Sequence, residues 1–264
     1  MTPMSARETF DVALEGAVFA CAQVHPGYEQ AFDDWYGLDH FYSGGVLGPA
    51  VLSGKRWFAD RKLRESRFVS DDCLHHDPRA GNHLAAYWLT TGGLNGFFSW
   101  VRPQLALLRA EGRMFEARSH VIVDGYRAAR VLAHPGSSPV SPIAALDHGF
   151  GGLFVSYGEP TGASPVPTET LPLHSLGIVF APAAGSLDND AVQTPSGAPG
   201  LAFPTASGAA VMTMLFLPAR PPSDIAWSRR IALELARASG TTPLWGAGFS
   251  AIEPGSSSHV ARMG

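Results

Sequence analysis

Two periodicities alternate along this chain. Residues 16–24 are apolar and rich in strand formers, and His25-Pro26-Gly27 closes the run, which predicts a first strand. Tyr28, Phe32, Trp35 and Leu38 then recur at helical spacing, while Glu29, Gln30, Asp33 and Asp34 fill the opposite face, so residues 28–41 are expected to be helical. Gly37 costs that helix about 1 kcal/mol relative to Ala, which predicts a bend or stop near His40. A loop with Gly44, Gly45, Gly48 and Pro49 leads to a second strand over residues 50–59. Residues 61–81 are polar and are expected to be an exposed loop or irregular insertion. Residues 82–91 predict a third strand, 94–111 an amphipathic helix with Phe97, Phe98, Val101, Leu105 and Leu108 on its apolar side, and 119–133 a long fourth strand.

The order strand, helix, strand, strand, helix, strand is the split βαβ, ferredoxin-like arrangement. After a Pro, Gly and Ser-rich linker at 134–141, strands are expected at 151–157, 173–182 and 209–217, a helix at 224–238 behind Pro221 and Pro222, and a last strand at 244–252. That final strand, helix, strand repeats residues 82–133. The chain therefore reads as α+β, with a first ferredoxin-like repeat over 1–134 and a second, degenerate one over 142–264 whose first helix has eroded into loops at 161–172 and 184–207.

Composition narrows the setting. Of 264 residues, 45% are hydrophobic and only 16% charged, which suits a packed globule and argues against disorder. The formal charge of -4 and scattered basic residues exclude a nucleic-acid footprint. Cys21 and Cys73 are too few for a disulfide framework. Glu8, Asp11 and Glu15 interrupt any signal-peptide core, and no apolar run is long enough to span a membrane, so a soluble cytoplasmic protein is expected.

The densest chemistry lies in Trp35-Tyr36-Gly37-Leu38-Asp39-His40. On α-helical geometry Trp35 and Asp39 share one stripe, Tyr36 and His40 the next. His40 is the candidate general acid/base, since imidazole titrates near neutrality; Asp39 would orient it or act itself, and Tyr36 would donate a hydrogen bond. The same residues would equally serve a helix C-terminus, His40 complementing the dipole. On the third strand His83 and Tyr87 share a face with Ala85 and Leu89, with Trp88 beside them; on the fourth, His120, Ile122, Asp124 and Tyr126 share one face. These positions would line a pocket floor or an exposed sheet face. The ligand-type residues Asp71, Asp72, Cys73, His75, His76 and Asp77 lack fixed metal spacing and read as a solvated loop. A haem protein would draw its axial ligand from His120, His148 or His174.

The opening strand, Pro26, the run from Tyr28 to His40, the glycine-bearing loop and Arg56-Trp57-Phe58 resemble the dimeric α/β-barrel superfamily, and the Trp-Tyr pair followed by an acid and a histidine is similar to EthD-like proteins. The resemblance implies a barrel of two four-stranded sheets with a pocket between sheet and helices. Small members complete it by dimerising, so a homodimer is one expectation, and closure within this longer chain is another. The superfamily holds cyclases, isomerases, cofactor-free monooxygenases and, in tandem form, haem proteins of the chlorite dismutase type.

No GxSxG elbow, P-loop or GxGxxG fingerprint is present. The leading expectation is a lyase or isomerase of the cyclase kind, without cofactor or metal, acting on a small hydrophobic, aromatic or polyketide-like substrate. Trp35, Tyr87 and Trp88 would form its walls; Asp39, Tyr36 or Arg56 would stabilise developing charge; His83, His120 and Tyr126 would line its floor. The alternatives are a haem- or oxygen-using oxidoreductase of the same barrel class and a non-catalytic protein that binds a hydrophobic ligand.

Overall fold

Strand β1 (Leu14–Val24) is paired antiparallel on both edges, with β4 (His83–Thr90) on one side and β5 (Arg118–Ala133) on the other. Strand β2 (Val51–Phe58) adds beyond β4, so the first half runs β2-β4-β1-β5. In the second half β6 (Gly152–Pro160) lies between β8 (Val211–Leu217) and β9 (Thr241–Ala251), with β7 (Leu176–Pro182) beyond β8. Taken in chain order, both halves read second, third, first, fourth strand, the ferredoxin-like order. The computed structural model describes residues 13–134, 141–166, 171–183, 203–208 and 210–263.

The halves join at two seams. Strand β5 pairs with β7 from Tyr126↔Pro182 to Ala133↔Leu176, and β2 meets β9 at Trp57↔Ala251 and Phe58↔Ser250. Eight strands thus close into an antiparallel barrel within one chain, without a second copy. Alternation sends Ala17, Phe19 and Cys21 of β1 and Leu84, Ala86 and Trp88 of β4 inward, where they meet Met212, Met214 and Phe216 of β8.

Helices cover the outer faces. On the first half lie α1 (Glu29–Trp35) and α3 (Gly93–Ala110); on the second lies α5 (Ile225–Ser239). The Asp224 carboxylate accepts from the Trp227 N–H at 2.7 Å to start α5, and Gly240 at φ 71° ends it. Phe154, Leu215 and Leu217 fill the space beneath α5 against Ile231 and Leu235. The first half is built differently, because β1 presents Val18, Ala20 and Ala22 to its helices and leaves a void below α3.

Several expectations change. The first helix does not stop near His40; past Trp35 it continues in π-helical turns over Tyr36–His40 and Tyr42–Val46. The polar stretch at 61–81 contains α2 (Arg61–Glu65) and β3 (Phe68–Val69), the latter paired with β9. Its anchor is Arg67, 2% exposed, which donates to the carbonyls of Ala80 at 2.5 Å and of Gly81. Asp77 accepts from the Arg79 and Ala80 N–H groups as a turn-former, and no metal-binding cluster exists among the described residues. Two short helices, α4 (Ala144–Asp147) and α6 (Val260–Met263), were not anticipated. Among the described residues no helix is long and apolar enough to cross a membrane. Glu8 and Asp11, most of the 134–141 linker and much of the 184–207 loop lie outside the described residues.

Candidate functional site

The void beneath α3 is a cavity of about 460 Å³, within the range of small-molecule and cofactor sites. Its floor is the helix-facing side of β1, β4 and β5, with Val18, Ala20, Ala22, His83, Tyr87, His120 and Val123. Phe97, Phe98 and Val101 of α3 form one wall, with Arg102 and Arg109 farther along the same helix. Tyr36 and His40 come from the π-helical turns, and Met114 to Arg118 from the entry to β5.

The π-helical register decides what His40 touches. Its i→i+5 pattern brings His40 under Trp35, with ring centroids 4.3 Å apart and planes 18° from parallel. Asp39 points elsewhere: it holds Arg113 at 2.5 and 3.1 Å and accepts from the Ser43 hydroxyl at 3.0 Å. The hydrogen bonds from Arg113 keep the Asp39 carboxyl below its ordinary range. The expected Asp39–His40 partnership is therefore not formed. On the other side of His40, a Cβ at Gly44 would stand 2.7 Å from the ring, so the close approach requires glycine. His40 Nδ1 is buried without a hydrogen-bond partner among the described residues.

Burial, reinforced by the Arg118 cation, depresses the His40 pKa to about 3. His120 is likewise lowered to about 3, by burial first and then by Arg118 and His40. Burial also takes His83 well below its ordinary value, with Arg56 adding to the effect. Lowered in this way, the rings favour the neutral form, which can ligate a metal or hydrogen-bond.

His120 reaches the cavity through a β-bulge. Ala20 pairs with Val123 and Cys21 with Ile122, but Ala22 pairs with His120, leaving Val121 as the extra residue. His120 is thereby turned away from Ile122 and Tyr126, with which strict alternation would have grouped it. Tyr126 faces the barrel interior, 6.0 Å from the Phe19 and Tyr157 rings, and Trp88 packs inside on Phe180 and Phe216. Neither belongs to the cavity. Trp35 stacks behind His40 and Phe115, its indole N–H donating to the Arg113 carbonyl at 2.7 Å.

His83 and Tyr87 do share the cavity face, as expected. The Tyr36 and Tyr87 hydroxyls meet at 2.9 Å, and burial raises both phenol pKa values. Arg56 stands behind them: its Nε donates to His83 Nε2 at 3.2 Å, its Nη2 pairs with Asp33, and its guanidinium lies 5.2 Å from the Tyr36 ring centroid. His259, 2% exposed, reaches the same Asp33 oxygen at 3.0 Å. Burial would raise the Asp33 carboxyl, but the His259 and Arg56 contacts hold it below its ordinary range.

Arg118 was missed in the sequence. Its guanidinium lies 4.6 Å from the centre of the Trp35 ring and donates to the Phe115 carbonyl. The available signal was Arg118-Ser119-His120 at a strand start, and Arg102 with Arg109 seven residues apart on an apolar helix. His148 and His174, the other axial candidates, lie away from the cavity; His148 is exposed beside Asp147, and His174 occupies a left-handed turn at φ 60°.

No family model and no curated protein matches the chain. Among solved structures it resembles an encapsulated DyP-type peroxidase from Mycobacterium smegmatis at 15% identity and TM-score 0.41, covering 90% of this chain and 92% of that one. A Rhodococcus jostii DypB variant in complex with heme aligns at 13% identity and TM-score 0.47, covering 95% and 96%. A putative chlorite dismutase aligns at 11% identity and TM-score 0.43, covering 94% and 98%. Likeness of this degree does not extend to chemistry. The expected cofactor-free lyase or isomerase acting through His40 does not stand: burial lowers the His40 pKa to about 3, so the ring lacks the near-neutral proton that cyclase-type acid/base work required.

Proposed function

We propose that the chain is a haem-using oxidoreductase that holds its cofactor in the cavity beneath α3, with the His120 imidazole as iron ligand. The observation that carries this reading is the bulge that turns His120 into an apolar cavity where its ring is kept neutral, the form that binds a metal. Haem bound there would supply one-electron and oxygen or peroxide chemistry. The chain's own contribution is to exclude water with Phe97, Phe98 and Val101, to offer hydrogen bonds from Tyr36 and Tyr87, and to set the Arg102, Arg109 and Arg118 cations around an anionic ligand. Kinship with EthD-like proteins, on the Trp35-Tyr36 and Asp39-His40 pattern, a cytoplasmic location and a homodimer belong to the same reading.

The test is titration of the purified apoprotein with haemin, followed by visible absorption. Saturable binding at one haem per chain is expected. The His120→Ala protein should lose the imidazole-ligated spectrum, whereas His148→Ala, changed at an exposed ring, should keep it. No saturable binding, or an unchanged spectrum in His120→Ala, sinks the reading.

A further inference from the structure

The two seams that close the barrel are unequal. Between β5 and β7 the pairing runs from Tyr126↔Pro182 to Ala133↔Leu176, but between β2 and β9 it is confined to Trp57↔Ala251 and Phe58↔Ser250. The segment after β9 crosses that short seam. The Ile252 N–H donates to the Arg56 carbonyl at 3.1 Å, Glu253, Pro254 and Gly255 are exposed, and His259 and Met263 are then buried again. Met263 joins the apolar cluster that holds Val24, Phe32 and Phe58, its carbonyl accepts from Arg64 Nη2 at 3.1 Å, and the Arg262 guanidinium lies 4.8 Å from the centre of the Phe58 ring. An exposed connector leaving the second half thus ends in a buried anchor on the first.

That anchor reaches the cavity through three side chains. His259 packs on Phe58, with ring centroids 5.4 Å apart, and its Nε2 meets Asp33 Oδ1 at 3.0 Å; the same oxygen accepts from Arg56 Nη2. Arg56 in turn donates from Nε to His83 Nε2 at 3.2 Å and lies 5.2 Å from the Tyr36 ring centroid, and both His83 and Tyr36 line the cavity beneath α3. Every link is at hydrogen-bond or cation–π distance. Without His259 the Asp33 carboxylate keeps one partner instead of two and is free to turn, and the guanidinium it holds turns with it.

We propose that the segment following β9 is a latch over the short seam, and that His259 is a positioning residue for the cavity, setting His83 and Tyr36 through Asp33 and Arg56. The inference rests on the cavity being the functional site and not on which cofactor fills it. A latch placed there acts on one side of the cavity alone. His120 stands on β5, the strand of the long seam, and is outside its reach.

The experiment uses the apoprotein labelled with ¹⁵N in histidine, read by long-range ¹⁵N–¹H spectra and by amide hydrogen exchange. His259→Ala should speed exchange at residues 56–58 and 250–252 by about tenfold or more, leave β5 and β7 unchanged, and move the ring signals of His83 but not those of His120. His259→Gln, whose side-chain amide supplies a donor in place of Nε2, should return both readouts toward those of the unmodified protein. Arg220→Met is the control: it removes the 2.7 Å pair with Asp60 that ties the same two halves just beyond β2, and should speed exchange at the short seam without moving His83. If His259→Ala does not fold, Met263→Ala trims the buried anchor instead and should give the same two changes. An unmoved His83 signal on release of the latch, or an equal shift in Arg220→Met, overturns the positioning role; exchange that rises equally at both seams overturns the latch. If haemin does not bind, the haem reading falls, and these readouts on the apoprotein still judge the latch.

Discussion

The neutral imidazoles of the cavity make folding stability depend on pH in a defined direction. His40 and His120 have folded-state pKa values near 3, against about 6.5 when unfolded. Below about pH 6.5 the unfolded chain therefore binds protons that the folded chain refuses, so stability is full at neutral pH and falls as the pH drops. Between about pH 7.5 and about pH 5 the linkage relation gives about 2 kcal/mol for each ring and about 4 kcal/mol for the two. Most carboxylates are still ionised in that window, so the imidazoles dominate the slope. A loss of that size is a large share of the 5–15 kcal/mol typical of a folded domain. Urea unfolding at intervals across the window measures it. His40→Gln should flatten the curve by about 2 kcal/mol over that window, whatever it does to stability at neutral pH. The reasoning fails if the slope is unchanged in that variant, or if the His40 ring protons titrate near pH 6.5 in NMR spectra of the folded protein.

Two further predictions concern packing. A Cβ at Gly45 would overlap the Tyr87 ring, so Gly45→Ala should destabilise by about 1–3 kcal/mol, whereas at Gly96, inside α3 with open space around it, alanine should stabilise by up to about 1 kcal/mol; opposite shifts in the urea midpoint check the pair. Replacing Arg67 by Met leaves the Ala80 and Gly81 carbonyls unpaired and should cost about 3–5 kcal/mol, read as a lowered Tm; a loss below about 1 kcal/mol would show that water satisfies them equally well.

Periodicity made the barrel legible. The strand runs around Phe19, Tyr87 and Phe249 and the apolar stripes of α3 and α5 each declare a period of two or 3.6, and the order of elements carried the ferredoxin-like topology. The site was legible only in part, for three physical reasons. Nothing local distinguishes an α-helical from a π-helical register at Tyr36–His40, yet that choice pairs Trp35 with His40 and frees Asp39 for Arg113. The extra residue at Val121 is set by pairing with β1, so alternation within β5 placed His120 on the wrong face. The protonation of His40 depends on burial by chain segments far from it and on the charge of Arg118, and so a side chain that titrates near neutrality in isolation is held neutral here.

The void beneath α3 exists because Ala20 and Ala22 stop short, where the second half presents Phe154 beneath α5. It is made by omission, and no polar residue is needed to create it. Scaffold and site are consequently separable: enlarging those two alanines would plug the space while leaving every histidine, arginine and tyrosine of the cavity in the chain. The duplicated architecture contains both versions of its own outer face, one filled and one hollow, so the filled half is a natural blank against which the hollow one can be judged.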